Sequence, residues 1–249
     1  MGRETVLSPV RWVDGWPAAG VVGGFMRGAL PESHPDVPGE RGKGYVSDPD
    51  EVDFEPGSRI PGHFVHWRFP PHNAFEVSPA SHPHTLALTP SVYNLTGNAS
   101  MGGSDGITFI GRRQTDTLFT YSADMAFNPG TVHDEAGVTV FLRPAQHVDL
   151  GVVLLPSSSP SLSKELGLKF HVQGRGNHKG LLPPARTVPV PGNWTQPVRL
   201  QIEAVNATHY VFSASNPADN QSVVLGHAPS TIVSGGTGPY VGEFSQSQP

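Results

Sequence analysis

Three acidic side chains at alternate positions, in Glu51-Val52-Asp53-Phe54-Glu55, form the sharpest chemical pattern in this chain. Successive side chains of a β-strand point to opposite faces, so on a strand all three carboxyls share one face. Two carboxyls about 5–5.5 Å apart can act as nucleophile and acid/base in retaining glycoside hydrolysis, with the third tuning them. The flanks oppose that use. Pro49 and Pro56 bracket the motif, and a central strand has no place for proline. A solvated acidic turn is the expected reading.

A second set of polar residues falls on strand-like segments. His147 and Asp149 alternate with Val148 and Leu150, and Arg112 and Gln114 alternate in the same way upstream. Polar side chains on one sheet face can hold a sugar through its hydroxyls, with an aromatic ring to stack on it. Trp67 and Trp194 are the available rings. The same face would equally suit packing against another domain. Arg112-Arg113 puts two charges on opposite faces. One of them points inward and calls for a carboxylate, with Glu135 and Asp149 as candidates. The twelve histidines show no metal spacing. His82-Pro83-His84 and His63-x-x-His66 lack supporting carboxylates or cysteines, so no metal and no cofactor is expected. No serine sits in a nucleophile elbow.

Strands must position these residues. Phe119, Tyr121, Ala123, Met125 and Phe127 alternate with Thr120, Ser122 and Asp124. Val138, Val140 and Leu142 share a face, as do Val148, Leu150, Val152 and Leu154. A period of two over three consecutive segments means half-buried strands of an antiparallel sheet. Further strands are expected at 63–69, 85–88, 168–173, 198–204, 209–213, 222–225 and 240–244, and no segment reads as a helix. Short strands separated by regular turns make an all-β, antiparallel β-sandwich. Residues 2–17 read as a strand with a tight Asp14-Gly15 turn. Residues 18–62 carry little pattern beyond Pro- and Asp-rich clusters and read as a linker along a surface.

The chain has 249 residues, 15% of them charged, and a net charge of -5. No basic patch stands out, so nucleic acid and anionic membranes are not expected partners. No apolar run is long enough to span a bilayer. The absence of cysteine excludes disulfides and thiolate metal sites. Asn94, Asn98, Asn193, Asn206 and Asn220 each open an N-x-S/T sequon, which points to a secreted glycoprotein. The first dozen residues lack the apolar core of a signal peptide.

The ordered segments also carry a family likeness. GRETVLSPVRWVDGWP (2–17) resembles the segment that closes the five-bladed propeller of family 43 glycoside hydrolases. GRRQTDTLFTYSADMAF (111–127), EAGVTVFL (135–142) and HVDLGVVLL (147–155) resemble the C-terminal module of those enzymes, chiefly fungal β-xylosidase and α-arabinofuranosidase-like members. The resemblance implies a concanavalin A-like sandwich (a jelly roll) over 63–249, a linker over 21–62 and a propeller-closing remnant over 1–20. Related modules are classed as xylan-binding. The implied partners are therefore a plant cell-wall polysaccharide or oligosaccharide, xylan or arabinoxylan above all, and the module's own catalytic propeller. The family's catalytic carboxylates lie in propeller blades, so this chain by itself is expected not to hydrolyse glycosides. In some members an aromatic on a late loop reaches the active site. The matching stretch here is 234–240, with Tyr240 as the ring on offer. Such sandwiches sometimes carry Ca²⁺, but no Asp-rich loop argues for one here. Three other readings stay open: a purely structural domain packed on the propeller, a free-standing fungal lectin, and a retaining enzyme using Glu51 and Glu55. The last rests on the likeness of the acidic motif to the catalytic strand of β-glucanases.

Overall fold

The computed structural model describes residues 8–20, 51–96, 106–157, 164–174, 182–218 and 221–234. The chain opens on a hairpin of β1 (Val10–Val13) and β2 (Trp16–Ala19). Asp14 and Gly15 join them with φ of 50° and 80°. Two left-handed residues make the turn whose twist matches a two-residue hairpin, which explains the Asp-Gly pair. Two small ribbons follow. β3 (Phe64–Val65) pairs with β6 (Gly111–Arg112), and β4 (Phe75–Val77) with β5 (Leu86–Leu88).

The remaining strands are β7 (Thr120–Met125), β8 (Glu135–Arg143), β9 (Gln146–Pro156), β10 (Lys164–Gln173), β11 (Arg186–Pro189), β12 (Val198–Asn206), β13 (His209–Ser215) and β14 (Ser222–Pro229). They form two antiparallel sheets, in the orders β11-β10-β9-β8 and β14-β13-β12-β7. A 3-10 turn, Ser230–Val233, follows β14. Among the described residues it is the one helical element.

One core lies between the two sheets. β9 sends Val148, Leu150 and Val152 into it, and β10 sends Leu168 and Phe170. Leu200 and Ile202 of β12 and Phe212 and Ala214 of β13 meet them from the other sheet. The rings of Phe170 and Phe212 lie 5.3 Å apart across the interface. The molecule is thus an all-β sandwich, as the period-two alternation requires. Phe119, Ala123, Met125 and Phe127 pack against this core as their spacing predicts, whereas Tyr121, expected on the same face, is 48% exposed. On the opposite face of β7, Asp124 takes a two-pronged ion pair from Arg199 of β12, at 2.6 and 2.8 Å.

Several expected elements change. The strand expected over 63–69 shrinks to Phe64–Val65, because Arg68 turns left-handed (φ 64°) ahead of Pro70-Pro71. The ribbon strand Phe75–Val77 and the edge strand Arg186–Pro189 are too short for a periodic signal. The segment 240–244 lies outside the described residues. The acidic motif is an exposed segment without strand structure, as its flanking prolines imply. Phe54 has φ of 44°, and Ser58 closes a turn onto the Glu55 carbonyl at 2.9 Å. Asp53 is engaged by His84 Nδ1 at 2.9 Å. Without a strand to hold Glu51, Asp53 and Glu55 in register, the paired-carboxylate reading loses its support.

Candidate functional site

The outward face of the first sheet carries a row of polar residues. Register places Phe141, His147 and Gln173 on one rung across β8, β9 and β10. Thr139, Asp149 and His171 form the next rung, and Gly137, Gly151 and Lys169 the third. Glu135 follows opposite Val153. Each of these positions alternates with a core residue, so the pleat that builds the core also builds the row.

Half of the row is sealed. The ring of Phe141 stacks on His147 at 5.8 Å, and Phe109 and Trp67 pack on Phe141 at 4.8 and 5.6 Å. Under this aromatic cover His147 is 1% exposed and Asp149 6%. The other half stays at the surface, where the side chains of Glu135, Lys169 and His171 are each a quarter to a third exposed.

Hydrogen bonds run along the row from the sealed end to the open one. His147 Nδ1 lies 2.7 Å from Asp149 Oδ2, and His171 Nε2 lies 3.2 Å from the same oxygen. His171 Nε2 is also 3.4 Å from Glu135 Oε1, and Lys169 Nζ donates to Glu135 Oε2 at 2.5 Å. Glu135 reaches from β8 to β10 across the intervening strand, and Gly151 is what lets it pass. A Cβ on Gly151 would stand 3.2 Å from Glu135 Oε1 and 2.8 Å from the Ala136 carbonyl. At the sealed end, His147 Nε2, Asp149 Oδ1 and Thr139 Oγ1 are buried with no hydrogen-bond partner among the described residues.

The network shifts two proton affinities. The hydrogen bond to Glu135 raises the His171 pKa above its ordinary 6.5; burial and the Lys169 charge oppose this, and the Asp149 and Glu135 charges add to it. Burial acts to raise the Glu135 pKa, but the hydrogen bonds and charges of His171 and Lys169 outweigh it and leave the group below its ordinary 4.5. A group with a depressed folded pKa adds stability above its unfolded value, lost as pH falls through the folded one. A group with a raised folded pKa adds stability below its unfolded value, lost as pH rises through the folded one. Both contributions are therefore complete between 4.5 and 6.5. Urea midpoints across pH should peak in that window. Glu135→Gln should flatten both flanks, and an unchanged profile in that variant would show the row to be electrostatically idle.

Residues 51–248 match the family described as the beta xylosidase C-terminal concanavalin A-like domain. The chain belongs to this family. It is 31% identical over 156 residues to the non-reducing end alpha-L-arabinofuranosidase BoGH43B of Bacteroides ovatus, a match covering 60% of this chain and 26% of that enzyme. It is 28% identical over 153 residues to a xylosidase/arabinosidase of Butyrivibrio fibrisolvens, covering 61% and 27%. The chain thus spans about a quarter of the length of these curated relatives. Among solved structures, it resembles xylan beta-1,4-xylosidase from Bacillus halodurans C-125 with a TM-score of 0.65 at 19% identity, over 96% of this chain and 42% of that one. The GH43 protein BlXynB from Bacillus licheniformis gives 0.61 at 18%, over 95% and 40%. At such identities these structures bear on the fold alone. The sandwich is therefore a family 43 C-terminal concanavalin A-like module, and the matched family is that module rather than the catalytic propeller.

Within this module the residues singled out in the sequence separate. His147 and Asp149 sit together in the row, and Trp67 is half-buried in the aromatic cover above it. Arg112 is half-buried on β6, in a separate ribbon. Gln114 is exposed, and its amide donates to the Asp116 carbonyl at 2.7 Å. Trp194 belongs to the core at 9% exposure, so its ring offers no stacking face to solvent. Tyr240 lies outside the described residues. Glu135 and Asp149, considered above as arginine partners, face His171, Lys169 and His147 instead. Lys169, His171, Thr139 and Phe141 were not singled out, although alternation already places them outward. Lys169 and His171 alternate with Leu168, Phe170 and Val172, and Phe141 stands between Val140 and Leu142. Among the described residues, no group of three His, Asp or Glu is placed to hold a metal ion. No helix there is long and apolar enough to cross a membrane.

Proposed function

We propose that this module is the non-catalytic partner of a secreted family 43 glycosidase and holds xylan or arabinoxylan chains on the open end of the polar row. The observation that carries the reading is the partly exposed trio Glu135, Lys169 and His171 at the open end of the row. Lys169 and His171 offer donors to sugar hydroxyls, Glu135 offers an acceptor, and Trp67 stands beside the row with its ring half open. The names of the relatives, an arabinofuranosidase and a xylosidase/arabinosidase, agree with a pentose-containing chain as the ligand. The sequons support passage through a secretory pathway. Hydrolysis would belong to a propeller and not to these strands.

Calorimetry with xylo-oligosaccharides and arabinoxylan, against cello-oligosaccharides, tests the binding. Saturable binding to the xylan series is expected, weakened about tenfold by Lys169→Ala, which is about 1.4 kcal/mol. Heat of dilution alone with every glycan would end the binding reading.

A second reading has its own observation. Hairpin β1–β2 carries Trp12 and Trp16 at 72% and 77% exposure, an apolar load that suits packing against another domain. On that reading the module is a scaffold for the catalytic propeller. A separately produced propeller should then co-elute with it in size-exclusion chromatography, and Trp12→Ser with Trp16→Ser should abolish the complex.

A further inference from the structure

The geometry points to Asn206 as an N-linked glycan site at the tip of the β12–β13 hairpin, an assignment that rests on the secretory reading above. Asn206 is exposed and pairs in register with His209, so Ala207 and Thr208 make the two-residue turn. Its side-chain Oδ1 accepts three hydrogen bonds, from Thr208 N–H at 2.8 Å, Thr208 Oγ1 at 2.7 Å and His209 N–H at 2.9 Å. The acceptor oxygen is saturated, while Nδ2 makes no hydrogen bond among the described residues. Ser230 braces the turn from the far side, its N–H on the Thr208 carbonyl at 2.8 Å and its hydroxyl on the Ala207 carbonyl at 3.2 Å.

This arrangement has the chemistry that transfer needs. The amide Nδ2 is the nucleophile. It forms a bond to C1 of a lipid-pyrophosphate-linked oligosaccharide and loses a proton, and the C1–O bond breaks with the lipid pyrophosphate as leaving group. A hydroxyl donated to the amide oxygen, as Thr208 donates here, fixes the amide orientation through a side-chain turn two residues long. The motif is local in sequence, since every partner of the Asn206 oxygen lies within three residues of it. Asn193 differs on this point. Its Nδ2 donates to Gln221 Oε1 at 3.0 Å, and its neighbour Trp194 is buried in the core. Folding engages that nitrogen through a residue 28 positions away. Asn94 is exposed but has no such local clasp among the described residues. A glycan on Asn206 would project into solvent with the hydrogen bonds of the turn intact. It would also keep this end of the second sheet clear of any docked domain.

The test is site occupancy. The chain is produced through a eukaryotic secretory pathway behind a supplied signal, so the result does not depend on where the natural chain resides. Enzymatic deglycosylation and peptide mass spectrometry then read each sequon. Asn206 is expected to be occupied, and more fully than Asn193. Thr208→Val should lose that glycan and Thr208→Ser should keep it. An empty Asn206 in the secreted chain, whether or not another sequon is filled, overturns the assignment. Retention of the glycan in Thr208→Val would also overturn it.

Discussion

Asp149→Ala is expected to lower folding stability by about 3 kcal/mol or more, the upper end of the cost of leaving a buried hydrogen-bonding group without its partner. Asp149 lies in the middle of the row, and its Oδ2 serves both His147 and His171. Truncation leaves the His147 Nδ1 buried at 1% exposure with no acceptor, beneath Phe141 and its aromatic neighbours. It also takes from His171 one of the two carboxylates that hold its proton. Asp149→Asn keeps the shape and one acceptor oxygen, so it should cost less, about 1–3 kcal/mol for an imperfectly matched buried group. Equilibrium urea unfolding at pH 6 measures both. An alanine variant within about 0.5 kcal/mol of the parent, the range of ordinary surface changes, would show that this carboxylate is not part of a buried network.

The sheet order was not legible in the sequence, but the faces were. Val148, Leu150, Val152, Leu168 and Phe170 turn inward as their alternation requires. What alternation leaves open is whether the opposite face meets water. His147 and Asp149 read as solvent-facing by residue type, yet β9 is a central strand covered on both sides. The cover comes from Trp67 and Phe109, far upstream and outside the main sheets. One residue did carry the signal. Phe141 falls on the outward face by the same spacing that turns Val138 and Val140 inward, and a phenylalanine there calls for something on top. The reach of Glu135 over Gly151 to Lys169 and His171 needs the register of three strands at once, which no local pattern encodes. Trp194 was misplaced for the converse reason. An aromatic in a Pro/Gly-rich loop reads as surface, whereas the turn closed by its N–H on the Pro191 carbonyl at 2.9 Å carries the ring into the core.

The row depends on a sandwich that holds β8, β9 and β10 flat against the second sheet, and Phe212→Ala should loosen that hold most. Phe212 is fully buried and meets Phe170 across the interface at 5.3 Å. Phe170 has no slack to fill the gap from its other side, because its ring already rests on the bare backbone of Gly226. A void therefore remains, and phenylalanine-to-alanine changes of this kind cost about 3–5 kcal/mol. Val224, on the neighbouring strand β14, is 46% exposed. Its alanine variant should stay within about 0.5 kcal/mol of the parent. Urea unfolding of the two variants separates a specific cross-sheet contact from general loss of apolar mass. If Phe212→Ala were as mild as Val224→Ala, the two sheets would not share one packed core. Because the row and its cover ride on the first sheet alone, Phe212→Ala should weaken glycan binding only in step with the fraction unfolded, whereas Lys169→Ala should weaken it in fully folded protein.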